Sequence, residues 1–287
     1  MAPSHHASKS RFCITRSKHE PPGLTDEQIS HFKTFGYIVL KGLLTQDELG
    51  RIQSEFDFMM QDQYGHDPYD GSRRHWTMMM DQDTPTFASL LEDPRCLKVA
   101  RQLYGDDVIG VGVDANRYTG DTGWHRDTAT LHQYGVKFAF YLQPVEATTG
   151  ALRVIPGMHR LPNDESFAEG VRAMTATDVP STCLPAEPGD VVAFDLRLWH
   201  ASHGGSTDRH MCTVVYYANP KTEEELTALQ NQSAGNVRIG IEKFKPKRRY
   251  LYSKDWVANT QGNADRQGWI DRLRQIGYFG TPGVVEA

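Results

Sequence analysis

The chain is predicted to be mainly β with flanking α-helices, its middle folded as an antiparallel barrel or sandwich. Two observations carry this. Between about residues 108 and 220, short β-branched and aromatic runs follow one another: "VIGVGVDANRYTG", "VKFAFYLQPV", "ALRVIPG", "VVAFDL" and "MCTVVYYANP". Clusters of Gly, Pro, Asp and Thr separate them at fairly regular spacing, the mark of short antiparallel strands joined by turns. On either side of this block the pattern is helical, with recognisable caps. At 287 residues, 39% of them hydrophobic, the chain is long and apolar enough to bury a sizeable core.

Taken in order, residues 1–22 are polar, carry several basic side chains and end in Pro21-Pro22-Gly23, which reads as a disordered tail with His5 and His6 in solvent. Residues 23–287 read as a single domain, with a β core at about 108–220 and a helical extension at about 221–287. The capping box Thr25-Asp26-Glu27-Gln28 opens a short helix. The run "GYIVLKGLL", Gly36 to Leu44, is β-rich. A second box, Thr45-Gln46-Asp47-Glu48, starts a helix with Leu49, Ile52, Phe56 and Met59 or Met60 on one face. Residues 61–84 are long and poor in regular pattern, as an active-site lid would be. Helical patterns return at Phe87–Leu91 and Pro94–Tyr104, and the last helix lies near Asp265–Ile276. The basic patch of Lys243, Lys245, Lys247, Arg248 and Arg249 reads as an interface, a lid anchor or, most simply, solvated surface.

Composition excludes several functions. A formal net charge of −5 argues against a nucleic-acid partner. No apolar run reaches the roughly 18 residues a membrane span needs, and no secretory h-region opens the chain. Cys13, Cys96, Cys183 and Cys212 are scattered with no C-x-x-C pair, which suits reduced thiols in the cytoplasm. A cytoplasmic enzyme acting on a small molecule is the expectation; the oligomeric state leaves no mark in the sequence.

The chemistry concentrates in two segments. In "GWHRDT", His125 and Asp127 stand two residues apart, and in an extended chain positions i and i+2 point to one face. Some 75 residues on, in "GDVVAFDLRLWHASHGGSTDRHMCTVVYY", an apolar strand ends at Trp199-His200 and Arg209 leads into the next β run. Two His and one carboxylate match the facial triad of non-haem Fe(II) oxygenases, which leaves positions open for a chelating cosubstrate and O₂. His203 is the alternative to His200. Arg209 can hold the far carboxylate of a dicarboxylate such as 2-oxoglutarate through two parallel hydrogen bonds. Thr213 and Tyr217 share its parity, and Lys137, on one face of "VKFAFYL" with Ala139 and Tyr141, is the second candidate for the anchor. Asp114, Asn116 and Tyr118 form a polar face suited to line a cavity, with Asn116 toward the oxo-acid end and Val111, Val113 and Ala115 packed outward. Arg73, Arg74, His75 and Trp76 cluster upstream, and Arg126, His132 and Arg153 lie near the metal segments. Asp114, Tyr118, Arg74, Trp76, Arg126 and Arg153 are the expected substrate contacts.

Four segments together resemble the phytanoyl-CoA dioxygenase family of Fe(II)/2-oxoglutarate oxygenases: "FKTFGYIVLKGLLTQDEL", "WHRD", "LQPVEATTGALRVIPGMHR" and "GDVVAFDLRLWHASHGGSTDR". They cover roughly residues 25 to 220. The resemblance implies a double-stranded β-helix (jelly roll, cupin-like) with helices outside one sheet. It implies iron held by His125, Asp127 and His200, and 2-oxoglutarate held by Arg209. It implies a reaction in which 2-oxoglutarate and O₂ yield succinate and CO₂ while an unactivated C–H bond is hydroxylated. Met158 stands where the family usually has Ser, and Gly or Ser stands where an Asn follows the distal histidine. Related halogenases carry a small residue at the carboxylate position, so Asp127 favours hydroxylation. The family's substrates include acyl-CoA esters, compatible solutes, phosphonates and secondary metabolites; a small polar metabolite or natural-product intermediate is expected here. A cupin-type metal enzyme without 2-oxoglutarate and a non-catalytic β-sandwich binding module are the rivals. Arg209 discriminates against the first and the intact His-Asp-His set against the second.

Overall fold

Two antiparallel sheets face each other across the centre of the computed structural model, which describes residues 23–287 apart from positions 129, 163, 176 and 206. The expected tail, with His5, His6 and Cys13, lies outside the described residues. Helices α1 (Asp26–Phe35) and α2 (Gln46–Tyr64) both start at the anticipated capping boxes: Thr25 and Thr45 accept from the backbone three residues on, and Gln28 and Glu48 accept in return. Strand β1 (Tyr37–Leu40) takes only the first half of the β-rich run. Beyond it, Asp190 accepts from Lys41 Nζ at 2.7 Å and from the Gly42 N–H at 3.0 Å, and this turns the chain out of the sheet.

The stretch expected to be irregular, 61–84, is partly regular. Helix α2 continues to Tyr64, and His75–Met78 forms strand β2, which pairs with β3 (Ile109–Thr119) at the edge of the larger sheet. Four residues are too few for alternation to announce a strand, and its partner lies some 40 residues away. Helices α3 (Pro85–Leu90) and α4 (Pro94–Tyr104) lie close to their predicted bounds, each with Pro in its first turn.

The β core continues with β4 (Thr122–His125), β5 (Gly135–Tyr141), β6 (Leu152–Val154), β7 (Thr182–Leu184), β8 (Val191–Asp195), β9 (His200–Ser202) and β10 (Thr207–Tyr217). The larger sheet runs β1-β8-β5-β10-β3-β2 and the smaller β4-β9-β6-β7, the two halves of a double-stranded β-helix. Period-2 alternation sorts the side chains of the central strands. Val113, Ala115, Val136, Phe138, Phe140 and Val214 face outward into the principal core under the helices. Ala139, Tyr141, Val192 and Phe194 face inward toward Leu152, Val154 and Leu184 of the smaller sheet. Each buried Val, Leu or Phe among them stabilises the fold by about 1.5–3 kcal/mol relative to exposure. Helix α5 (Glu165–Ala173) covers the outside of the smaller sheet, with Ala168 and Val171 against Trp124 and Trp199.

After the barrel, α6 (Glu223–Asn236) runs into a π-helical turn, Val237–Lys243, and α7 (Lys254–Ala258) and α8 (Ala264–Gln275) follow. Trp269, Ile270, Leu273 and Tyr278 belong to the principal core, and Trp269 Nε1 donates to the Val108 carbonyl at 3.1 Å. The basic patch is not simply solvated. Arg248 pairs with Asp81 at 2.8 Å and Lys247 with Asp62 at 3.1 Å, while Arg249 donates to the Ile241 carbonyl. These carboxylates stand well over 150 residues upstream, so a local reading could not supply them.

Candidate metal centre and cosubstrate cavity

The space between the sheets is a cavity of about 480 Å³. β4 pairs with β9 so that His125 stands directly opposite His200, with ring centroids 4.2 Å apart. Asp127 follows two residues beyond the strand, where its N–H donates to the Leu196 carbonyl at 3.1 Å. Its Oδ1 lies 4.0 Å from His125 Nε2 and 3.8 Å from His200 Nε2. Each of the three offers one ligand atom within 4.8 Å of the others, an arrangement that can hold one cation. The structure brings His200, rather than His203, to this point. His203 is buried beside Trp124, with Nδ1 3.7 Å from Asp121, and does not reach the cavity wall.

Both rings are oriented from behind. His125 Nδ1 donates to the Gly123 carbonyl at 2.8 Å and His200 Nδ1 to the Leu198 carbonyl at 2.9 Å, so each Nε2 lone pair faces the centre. Burial pushes His200 down to about 3 and His125 below its ordinary value, which leaves both imidazoles neutral near pH 7 and able to ligate. Burial opposes ionisation of Asp127, but the Lys137 ammonium and the two rings outweigh it and hold the carboxyl well below the usual range. Lys137 Nζ lies 2.8 Å from Asp127 Oδ2.

At one end of the cavity stands Arg209, 1% exposed. Its Nη2 donates to Ser202 Oγ at 3.0 Å, while Nε and Nη1 are buried without partners. A buried guanidinium with donors unspent is costly unless an anion completes it. This is the feature a cosubstrate carboxylate would satisfy, so the donor set fits the group the sequence implies. Room for the guanidinium comes from Gly150, whose φ of +91° suits glycine and where a Cβ would collide with Arg209 Nη1.

The other predicted residues divide. Asp114, Asn116, Tyr118, Arg74, Trp76, Arg126, Thr213, Tyr217 and Lys137 all line the cavity. Thr213 Oγ1 is buried and unpartnered. Asn116, however, spends its amide within the protein: Nδ2 donates to Asp114 at 2.8 Å and to the Met211 carbonyl at 3.3 Å, and Oδ1 accepts from Arg74. Burial raises the Asp114 carboxyl, against the pull of Lys137 and Arg74. Lys137, the second candidate for the anchor, pairs with Asp127 instead of standing beside Arg209; it is in register with Val215, six residues along β10 from Arg209. Arg126 stacks on Trp199 and donates to the carbonyls of Met158 and Leu161, fastening the turn after β6. Arg153 is off the cavity, because its neighbours Leu152 and Val154 take the inward positions of β6. His132 is exposed and Arg73 pairs with Asp67, both away from the cavity.

Sequence reasoning placed Tyr141 on the face of Lys137 without giving it a role, and it missed Ser202, Gln133 and the far wall. Ser202 follows His200 by two, so alternation would have found it. The far wall holds Gln232, Asn236, Tyr252 and Tyr278, all from the C-terminal extension. Asn236 Nδ2 donates to Tyr278 Oη at 2.7 Å and Gln232 Nε2 to Asn236 Oδ1 at 3.0 Å. No local signal marks them.

With this geometry in view, the likeness to known proteins is specific. Ectoine dioxygenase of Stutzerimonas stutzeri is 24% identical over 248 residues, spanning 72% of this chain and 80% of the relative. The crystal structure of EctD from S. alaskensis with 2-oxoglutarate and 5-hydroxyectoine superposes with a TM-score of 0.54 at 26% identity, over 68% of this chain and 77% of that one. The non-heme alpha ketoglutarate dependent epimerase SnoN from nogalamycin biosynthesis shares the fold, with a TM-score of 0.56 at 19% identity over 68% and 83% of the two chains. Residues 32–211, more than half of the chain, match the model of the phytanoyl-CoA dioxygenase family, and the chain belongs to that family.

Proposed function

We propose that the protein is an Fe(II)- and 2-oxoglutarate-dependent oxygenase that hydroxylates an unactivated C–H bond of a small polar metabolite or natural-product intermediate, releasing succinate and CO₂. The observation that carries this is the pairing, in one cavity, of the His125–Asp127–His200 cluster with a buried Arg209 whose Nε and Nη1 have no partner. In this reading His125, Asp127 and His200 hold the iron. Bound there, the iron would activate O₂ with 2-oxoglutarate as the reductant. Arg209 fixes the distal carboxylate of 2-oxoglutarate with Ser202 beside it, and Thr213 has a free hydroxyl on the same strand face. The neutral imidazoles donate their Nε2 lone pairs without first losing a proton.

The substrate occupies the other end, between Lys137, Tyr217 and the C-terminal wall of Gln232, Asn236, Tyr252 and Tyr278. That wall lies beyond the family match at 32–211, so family membership does not select the substrate. Its neutral amide and phenol groups suit a molecule with hydroxyl or carbonyl groups on an apolar frame. Ectoine, named for the relatives, is the first compound to assay and the benchmark for others.

The test is anaerobic. Fe(II) and then 2-oxoglutarate are added to wild type, Asp127→Ala and Arg209→Ala, and the visible charge-transfer band of the chelate is followed. A wild-type band that weakens in both variants supports the reading. Iron binding with no band moves a cupin-type enzyme without 2-oxoglutarate to the front, and no iron binding at all leaves a binding module.

A further inference from the structure

The three candidate ligands differ in what holds each from outside. The histidines are held by main-chain carbonyls of their own segments, Gly123 and Leu198. Asp127 is held by a side chain, Lys137, whose Nζ lies 2.8 Å from Oδ2 while Oδ1 faces both imidazoles. We propose that Lys137 is a positioning residue that retains the outer oxygen of Asp127 and so presents a single oxygen to the metal.

The physical need is plain, and it rests on the reading of this cluster as an iron centre. The terminal torsion of an Asp is broad and two-fold, so an unrestrained carboxylate can turn either one or both oxygens toward a cation. Two oxygens would occupy a fourth coordination position and crowd those that a chelating cosubstrate and O₂ require. An ammonium 2.8 Å from Oδ2 opposes that turn through a close ion pair.

The placement of Lys137 makes the restraint stiff. It projects from β5, which is paired on both sides, with Phe194 across from it on β8 and Val215 across from it on β10. Its Nζ stands 6.0 Å from the centre of the Phe194 ring, and the side chain is 19% exposed. A second carboxylate, Asp114 on β3, adds to the attraction on the ammonium.

The experiment measures metal binding apart from turnover. Apo wild type, Lys137→Met and Lys137→Arg are titrated with Co(II), recording affinity and the visible Co(II) bands. The 2-oxoglutarate concentration that half-develops the Fe(II) chelate band is then measured at saturating iron. Loss of an outer partner typically weakens metal binding 10- to 100-fold. Lys137→Met should fall in that range and change the intensity of the Co(II) bands at saturation, because a carboxylate free to bind through both oxygens alters the coordination number. Lys137→Arg should stay within a few-fold of wild type, and the 2-oxoglutarate midpoint should hold in both. If Lys137→Met does not fold by circular dichroism, Lys137→Gln, shorter and uncharged, carries the same expectations.

A neutral variant with wild-type Co(II) affinity and spectrum overturns the inference. So does one whose 2-oxoglutarate midpoint rises while Co(II) affinity stays unchanged, since Lys137 would then be a cosubstrate anchor. Failure of wild type itself to bind Co(II) or Fe(II) refutes the iron-centre reading, and the inference with it; this outcome is distinct from the other two.

Discussion

Replacing Arg209 by Met should separate binding from stability. In the wild-type apo protein the guanidinium is 1% exposed, donates once, to Ser202, and leaves Nε and Nη1 unsatisfied. Met keeps much of the length and removes the charge. The variant loses one charge-assisted hydrogen bond, about 1.5–3 kcal/mol, and a cation–π contact with Tyr118 worth about 0.5–2 kcal/mol. It is relieved of two buried unpaired donors at about 1–3 kcal/mol each. These nearly cancel, so the free energy of unfolding of the apo protein should move by no more than about 2 kcal/mol in either direction. Cosubstrate binding behaves otherwise. Removing one partner of a buried charge pair costs about 2–5 kcal/mol, which is roughly a 30- to 5,000-fold rise in the 2-oxoglutarate concentration for half-saturation. The assay is the anaerobic chelate band, with urea unfolding of the apo forms alongside. At about 100 times its wild-type dissociation constant, 2-oxoglutarate should stabilise iron-loaded wild type by about 2.7 kcal/mol and the variant by no more than about 0.9 kcal/mol. An unchanged half-saturation would refute the reasoning, and so would a variant that loses more than about 3 kcal/mol of apo stability.

Other consequences are equally concrete. Gly150→Ala places a Cβ against Arg209 Nη1 at a φ of +91°, so 2-oxoglutarate half-saturation should rise at least tenfold with a stability loss of about 1–3 kcal/mol; a variant matching wild type in both would sink the account of the guanidinium's seat. His75, buried and stacked on Tyr64 at 3.9 Å, is pushed down to about 4 by burial and by Arg73 and Arg117. The unfolded chain therefore binds the extra proton first, and stability should fall as pH drops below about 6.5, by about 2 kcal/mol between pH 8 and pH 5 from this group alone. Urea unfolding across that range in wild type and His75→Phe checks the sign, since the variant should show a shallower slope. Gly240→Ala drives a Cβ into the Trp76 ring, and about 1–3 kcal/mol of destabilisation should appear as a lower Tm, with the Fe(II) affinity of the folded protein unchanged. A chain ending at Pro220 strips Trp269, Ile270, Leu273 and Tyr278 from the principal core and should not yield folded, soluble protein; a cooperative unfolding transition in it would show the extension to be dispensable.

Much of the fold and the centre of the site were legible before any coordinates. The capping boxes at Thr25 and Thr45 predicted two helix starts because capping is chemistry within four residues. Alternation in "VKFAFYL" separated Lys137, Ala139 and Tyr141 from Val136, Phe138 and Phe140, and the two sets do face opposite sides of the sheet. The same alternation put His125 beside Asp127 and kept Arg209 on the inward face of its strand. Where local pattern was short or its partner distant, the reading failed. The stretch 61–84 hid strand β2, Arg153 was counted inward while its neighbours took that face, and within an otherwise exposed basic patch Arg248 meets Asp81.

The sequence by itself determined what adjacent residues can decide: where helices begin, which strand face is apolar, and which side chains bring imidazole, carboxylate and guanidinium chemistry. Tertiary structure alone decided which of those groups meet. It chose His200 over His203 by setting β9 opposite β4, committed Lys137 to Asp127, and closed the far end of the cavity with Gln232, Asn236, Tyr252 and Tyr278. The reason is physical. Helix caps and strand alternation arise from short-range geometry repeated along the chain, whereas each of these meetings depends on where a distant segment returns, and a single long-range contact leaves no period in the sequence to be read.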